Sequence, residues 1–437
     1  MSEILMLRNV LIERLQLGVV CPSFLPGCSV GSSSHIRSGR QERRSEQVME
    51  RHILILGCKN YPGFSSSKVI SSGMEVYVTE LVKYLKSCYR ITLITADSAV
   101  SQEDNIRVVS LPIFGGRLFQ PISLFFFSFL PALKLRKQID LINTQTPLSG
   151  LIAYLLKKWF RIPYVVSVHM YASSSEHTGS RLYSAIYHYI EKIVYSAADK
   201  IVCAGYGLRD HIIEQHRVDP NRIVVINPGA GPVEVGEPSP SCRREAHQDD
   251  GGLKVLFLGR LIQENGIIDL LEAMKLLAGQ PVKLLIAGNG NLERYIRQFI
   301  DKHKLQDHIE MLGIVSGEAK DKLLKSVHVL IRTSYHEVFP VAYLEALAYG
   351  IPVIATPVGD TAYMAEQTGG IDLVPVNDPG GTASAIAGRM HHHVLEPELI
   401  DRCQNYLRDI SWENQADKTV ALFNEVMSRH ESLGETF

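Results

Sequence analysis

Ser334-Tyr-His-Glu-Val-Phe-Pro-Val-Ala-Tyr-Leu-Glu-Ala-Leu-Ala-Tyr-Gly-Ile-Pro-Val-Ile-Ala-Thr-Pro357 is the stretch on which the reading of this chain turns. It places Glu337 in a loop before a helix over Val341–Ala348 and Glu345 inside that helix, with seven residues between the two carboxylates. A short buried-type strand, Val353–Ala355, follows directly. A helix N-terminus offers free N–H groups and the positive end of a dipole, which suit a phosphate. Ionised carboxylates are acceptor-only groups suited to the hydroxyls of a sugar. Phosphate beside polyol points to a nucleotide sugar. The glutamate spacing alone is uninformative, because a chain with 46 acidic residues contains about one such pair by chance, and two solvated glutamates on an amphipathic helix are the plain alternative. The flanking Ser334, Phe339, Leu344, Ala346, Gly350, Pro352 and Val353 carry the specificity.

Outward from that stretch, the chain alternates short apolar runs with helical stretches from His52 onward, which predicts parallel sheets with helices on both faces. Strands are expected at His52–Leu56, Ile91–Thr95, Ile106–Ser110, Leu141–Asn143, Tyr164–Val168, Ile201–Cys203 and Val224–Ile226. Helices are expected at Gly73–Leu85, Leu124–Lys137, Leu148–Phe160, Arg181–Tyr195 and Gly207–Gln215. A second alternation starts with a strand at Val255–Leu258 and runs through a helix at Leu270–Leu277, a strand at Leu284–Ala287, a helix at Leu292–His303, a strand at Ile309–Leu312, a helix at Ala319–Ser326 and a strand at Val329–Ile331. It then enters the quoted stretch. The fold class is therefore α/β, with two Rossmann-like doubly wound domains facing a cleft. The expected organisation is an extension over 1–48, with Met49 as an alternative start, a first domain over 49–236, a linker over 237–251, a second domain over 252–405, and over 406–437 a C-terminal helix. Ligands in doubly wound sheets sit at the carboxyl ends of the strands, so each lip of the cleft can hold one partner of a two-substrate reaction.

Composition narrows the class further. The 437 residues are 46% apolar and 21% charged, as in an ordinary globular protein. Seven cysteines are scattered without metal-ligand spacing, so neither a disulfide framework nor a zinc site is suggested, and a reducing cytoplasm fits. No Gly-x-Gly-x-x-Gly follows the first strand and no Gly-Lys-Ser/Thr loop occurs, which counts against dehydrogenases and P-loop enzymes. Arg51 to Arg161 holds 14 basic residues against 6 acidic ones although the whole chain carries a net charge of −1. This basic half lacks the aromatic interleaving of a nucleic-acid reader. Its longest apolar run, Pro121–Leu133, has 13 residues and two prolines, too short to span a bilayer. That run either lies in the interface of an anionic membrane or is a helix buried against the sheet.

The quoted stretch, together with Gly259-Arg260-Leu261 and Glu264-Asn265-Gly266 at the end of the second domain's first strand, resembles the donor site of retaining family 4 (group 1) glycosyltransferases of the GT-B fold. The resemblance covers about residues 51–430. It implies transfer of a hexosyl unit from a nucleoside diphosphate sugar to a glycan, lipid or small-molecule acceptor, without metal or other cofactor, in the cytoplasm or peripherally on the inner face of the cell membrane. In the resembled fold the C-terminal helix crosses back to the first domain.

Carried onto this chain, the resemblance makes Glu337, His169 and Arg260 the catalytic candidates. The donor-binding set is Gly73, Gly259, Arg260, Asn265, Ile314, Glu337, Val338, Phe339, Pro340, Val341 and Glu345. Arg260 would fork onto the diphosphate, Glu345 would take the ribose hydroxyls, and His169 would face the sugar. Gly73 would belong to a glycine loop opening the first helix, or to a simple helix-entry turn. Departures from the pattern are Asn265 for lysine, Ser72, Val338, Pro340 and Asp360 for glycine, Met170 for a usual glycine, and Tyr363 for glutamate, while Asn143 and Gln145 stand where histidine is frequent. With Asn265 in place of a cation the diphosphate site is expected to be weak, and a lysine restored there to strengthen it. A non-catalytic nucleotide-sugar-binding subunit and a nucleotide-sugar epimerase stay open as alternatives.

Overall fold

The computed structural model describes residues 51–61, 73–98, 102–111, 120–171, 181–230 and 252–434. The expected extension over 1–48, Ser72 and the linker over 237–251 lie outside the described residues. In chain order the first lobe contains β1 (His52–Leu56), β2 (Asn60–Tyr61), α1 (Gly73–Leu85), β3 (Arg90–Thr95), β4 (Asp97–Ser98), β5 (Gln102–Glu103), β6 (Ile106–Ser110), α2 (Gln120–Leu135), β7 (Leu141–Thr144) and α3 (Pro147–Phe160). It continues with β8 (Tyr164–Val168), α4 (Arg181–Ala197), β9 (Lys200–Cys203), α5 (Tyr206–His216) and β10 (Ile223–Val225). Its main sheet runs β10-β9-β8-β7-β1-β3-β6-β5, parallel throughout except for the antiparallel β5 edge. Every residue of β1 and β8 is buried, because helices cover both faces of a parallel sheet and leave no solvent side. That is why these strands read as nearly continuous apolar runs, with only His52 and Ser167 polar. Local chemistry sets the helix ends: Thr146 caps α3 by accepting from the Ser149 N–H at 3.3 Å, and Pro147 occupies its first turn, where a missing N–H costs nothing.

The second lobe contains β11 (Leu253–Leu258), α6 (Ile267–Leu276), β12 (Val282–Ala287), α7 (Glu293–His303), β13 (Ile309–Gly313), α8 (Gly317–Leu324), β14 (Val329–Arg332), α9 (Val341–Ala348), β15 (Val353–Ala355), α10 (Thr361–Thr368), β16 (Ile371–Leu373), α11 (Pro379–Arg389) and α12 (Pro397–Asp409). Its sheet is wholly parallel, in the order β13-β12-β11-β14-β15-β16. The order reverses direction beside β11 and β14, so the loops leaving these two neighbours open at the carboxyl edge where ligands of such sheets bind. A final helix, α13 (Trp412–Gly434), packs its Trp412, Phe423 and Met427 into the first lobe's core beside Tyr89. The Tyr89 hydroxyl donates to Asn424 Oδ1 at 3.1 Å.

The reading of the Pro121–Leu133 run as a helix buried against the sheet describes one face of α2 only. Ser128, Ala132 and Leu133 are buried, while Phe126, Phe127 and Leu130 are exposed. No helix among the described residues is long and apolar enough to cross a membrane.

Candidate donor site

β11 and β14 are hydrogen-bonded neighbours, and this adjacency builds the site. Arg332, the last residue of β14, is buried and points under the loop that leaves β11. Its Nη1 donates to the Leu258 carbonyl at 3.0 Å, its Nη2 to Asn265 Oδ1 at 3.1 Å, and its Nε to Ser334 Oγ at 3.3 Å. Nη2 also pairs with Glu337 Oε1, which accepts from Ser334 Oγ at 3.1 Å as well. Asn265 Nδ2 donates in turn to the Arg260 carbonyl at 2.8 Å. One buried guanidinium thus ties the Gly259–Gly266 loop to the carboxylate of the Glu337 loop, and its partners meet the demand that a buried charge be paired and hydrogen-bonded. Gly259 leaves the room: a Cβ there would lie 2.6 Å from Arg332 Nη1. At Gly266, with φ +69°, a side chain would run into the Thr333 carbonyl, so both backbone angle and space require glycine.

The outward-facing groups remain available. Arg260 is exposed, and its guanidinium has no hydrogen bond or ion pair among the described residues. Both described bonds to Glu337 fall on Oε1, which leaves Oε2 as an acceptor. Glu345, in the middle of α9, pairs through Oε1 with Lys320 Nζ of α8 at 2.7 Å. Phe339 and Pro340 are buried at the start of α9, Val338 and Val341 half-buried. Pro340 is the residue before the first helical turn. Gly288 N–H donates to the Gly313 carbonyl at 2.7 Å, and this turn carries Ile314 on the surface at 62% exposure. Gly73 opens α1, and nothing lies within 4 Å of where its Cβ would be.

His169 belongs to the other lobe, just past β8. Its Nε2 faces Gln145 Oε1 at 2.8 Å, and since that amide oxygen only accepts, Nε2 carries the proton. Gln145 Nε2 donates onward to Asn143 Oδ1, and Asn143 Nδ2 to Ser167 Oγ at 3.0 Å. Asn143 and Gln145 are therefore the props of His169. Burial holds the imidazole down to about 4, so the ring is neutral near pH 7. Tyr77 lies edge-on to it at 4.6 Å. The structure brings Arg260, Asn265 and Glu337 into one web and sets His169 apart from it, on the first lobe.

Two of the departures from the family pattern form a contact between the lobes. Asp360 accepts from the backbone N–H groups of Tyr206 and Gly207, at 2.8 and 2.9 Å, at the start of α5. Tyr363 packs on Tyr206 with ring centroids 4.7 Å apart. Burial raises the Asp360 pKa, and the two N–H donors partly oppose that. Sequence reasoning missed Arg332 altogether. Its only signal was an arginine closing an apolar strand one residue before Thr333-Ser334.

Comparison with known proteins agrees with this architecture. The model of the glycosyl transferases group 1 family matches residues 240–407, and that of glycosyltransferase family 4 matches residues 71–232. The chain is 25% identical to the D-inositol 3-phosphate glycosyltransferase of Corynebacterium glutamicum over 398 residues, covering 84% of this chain and 94% of the relative. It superposes on sucrose-phosphate synthase of Thermosynechococcus elongatus with a TM-score of 0.69 at 20% identity, over 87% of this chain and all of that one. The HepE protein of Anabaena, solved with UDP-glucose, gives a TM-score of 0.65 at 17% identity over 85% and 99% of the two chains. With the two family models matching successive lobes and the solved structures sharing the two-sheet fold, the chain belongs to the group 1, family 4 glycosyltransferases of the GT-B fold.

Proposed function

We propose that this chain is a retaining hexosyltransferase that uses a nucleoside diphosphate sugar and an acceptor held on the first lobe. The observation that carries this reading is that Arg332 and Ser334 lock Glu337 Oε1 while Arg332, through Asn265, also ties down the loop of Arg260, whose guanidinium is unengaged among the described residues. Arg260 binds the diphosphate as a fork. Glu337 Oε2 accepts from hydroxyls of the donor sugar, and Glu345, held by Lys320, accepts from the ribose. Amides at the start of α9 and the cation of Arg260 carry the charge that develops on the leaving diphosphate, the task a divalent metal performs elsewhere. Neutral His169, its Nε2 proton engaged by Gln145, accepts through Nδ1 at the sugar without bringing a charge.

In the transfer, the bond between the anomeric carbon and the diphosphate oxygen breaks as the acceptor hydroxyl attacks from the same face. The hydroxyl proton passes to the departing phosphate oxygen. Glu337 positions the sugar and forms no covalent bond. The relatives named for D-inositol 3-phosphate and sucrose phosphate support a polyol or sugar-phosphate acceptor as much as a glycan or lipid one. The exposed Phe126, Phe127 and Leu130 on α2, one to two turns ahead of Lys134 and followed past the helix end by Arg136 and Lys137, suit shallow insertion into an anionic membrane surface.

Incubation with a panel of nucleotide sugars, with and without candidate acceptors, tests the reading. Acceptor-dependent release of nucleoside diphosphate is the expected result. Isomerisation of the donor sugar would instead mark an epimerase, and binding without turnover a non-catalytic subunit.

A further inference from the structure

A second cluster of chemically competent side chains lies in the first lobe, away from the donor site. His188 and Glu191 sit three residues apart on α4, so they share one face of the helix. His216, the last residue of α5, meets them from the neighbouring helix, with the chain turned away at Arg217 in the left-handed conformation at φ 52°. Possible ligand atoms of the three residues all lie within 4.8 Å of one another. The His188 and His216 rings are nearly parallel, with centroids 4.6 Å apart. The side chains of His216 and Glu191 are 2% and 4% exposed.

The spacing does not suit a simple ion pair. His216 Nε2 and Glu191 Oε2 stand 3.4 Å apart, well beyond the ~2.7–2.9 Å of a charge-assisted hydrogen bond. Glu191 Oε2 accordingly has no hydrogen-bond partner among the described residues, and neither does His216 Nδ1. Buried polar atoms without partners are rare and costly. Two ligands bound at about 2.0–2.1 Å to one tetrahedral ion, however, are separated by about 3.3 Å. Two imidazoles and one carboxylate are a common donor set for zinc, and the half-buried side of His188 leaves a fourth position for water. The support that such sites need is also present: the Tyr195 hydroxyl hydrogen-bonds Glu191, and the Tyr195 ring lies edge-on to His216 at 5.2 Å.

We propose that His188, Glu191 and His216 form a structural site for a zinc-like divalent ion that clamps α4 to α5. The ion takes no part in glycosyl transfer. It fixes α5 at its C-terminal end, while Asp360 of the second lobe holds the N-terminal end of the same helix through Tyr206 and Gly207. The site thus stiffens the first-lobe side of the contact between the lobes.

The test is calorimetric titration of the chelator-stripped full-length protein with Zn2+, alongside its thermal midpoint with and without the ion. Wild type should bind one equivalent and gain thermal stability, and Co2+ in its place should show the visible bands of a tetrahedral complex. His188→Ala and His216→Ala should each weaken that equivalent at least tenfold and lose the thermal gain. If His216→Ala fails to fold, the half-buried His188→Ala carries the test. His391 and His392 are exposed neighbours in sequence that can bind zinc adventitiously, so His391→Ala/His392→Ala is the control and should leave the equivalent intact. No saturable binding by wild type, binding unchanged in both His188→Ala and His216→Ala, or loss of the equivalent in the surface double variant would each overturn the proposal.

Discussion

Replacing Asn265 by lysine restores the residue that the family usually has beside the diphosphate, and the sequence pattern alone expects this to strengthen donor binding. The structure reverses that expectation, because the position is already served by the buried guanidinium of Arg332, 3.1 Å from Asn265 Oδ1. Lysine cannot accept that N–H, so a charge-assisted bond worth about 1.5–3 kcal/mol is lost. An ammonium about 4 Å from the guanidinium adds repulsion of about 4 kcal/mol at an effective dielectric of 20. Glu337, which pairs with Arg332, offsets part of this. The net destabilisation expected is about 3–5 kcal/mol, a fall in melting midpoint of about 3–6 °C for a chain of this length, with no gain in affinity for nucleoside diphosphate. Moving the charge instead of adding one, with Asn265→Lys and Arg332→Leu together, should recover at least half of the loss, a coupling that a double-mutant cycle measures by denaturant unfolding. An unchanged midpoint in Asn265→Lys together with tighter diphosphate binding in calorimetry would refute the role given to Arg332.

Other outcomes follow from the same geometry. Arg260→Ala and Glu345→Ala should each weaken nucleoside diphosphate binding about 10- to 100-fold, the equivalent of one charge-assisted contact, with melting midpoints close to wild type since both side chains face solvent at least in part. Unaltered calorimetric affinity in both variants would remove this donor site. His169 is held near 4 when folded, against about 6.5 for a free histidine, so the unfolded chain binds the extra proton between these values. Its contribution to stability is therefore full above about pH 6.5 and declines as pH falls towards 4. His169→Gln should flatten that part of the midpoint-against-pH profile, and a parallel profile would contradict the assignment. Phe126→Ser/Leu130→Ser should reduce co-sedimentation with anionic vesicles at low salt, and equal recovery of wild type with neutral and anionic vesicles would exclude the membrane surface.

The parts of the fold legible in the sequence are those whose own residues enforce them. His52–Leu56, Tyr164–Val168 and Val353–Ala355 are unbroken buried runs between turn residues, and the strands occupy those residues. The short β2 and β4 pair and the strand β5 carry no such pattern, since two residues cannot show a period. Thr361–Thr368 and Pro379–Arg389 are rich in small residues and lack a marked apolar stripe, so their helices depend on packing rather than on pattern. Helix α12 was legible in principle: Pro397 opens it and Leu399, Cys403 and Leu407 recur at helical spacing. The site divides along the same line. Arg260, Glu337 and Glu345 stand in contiguous motifs and could be found by reading. Arg332 meets Asn265 across 67 residues of chain, and Glu191 faces His216 across β9 and the length of α5, contacts that exist only after the sheets have set which helices and strand ends are neighbours.

The most direct measurement is the proton NMR spectrum of the glycoside formed when wild type and Glu337→Gln are given an α-linked nucleoside diphosphate hexose and an accepted acceptor. Wild type should yield a new anomeric signal with the small coupling of an α-glucoside or α-galactoside, the donor's own configuration, and Glu337→Gln should yield it at least a hundredfold more slowly. A β-linked product, or nucleotide bound by wild type with no glycoside formed, would contradict retaining transfer at this site.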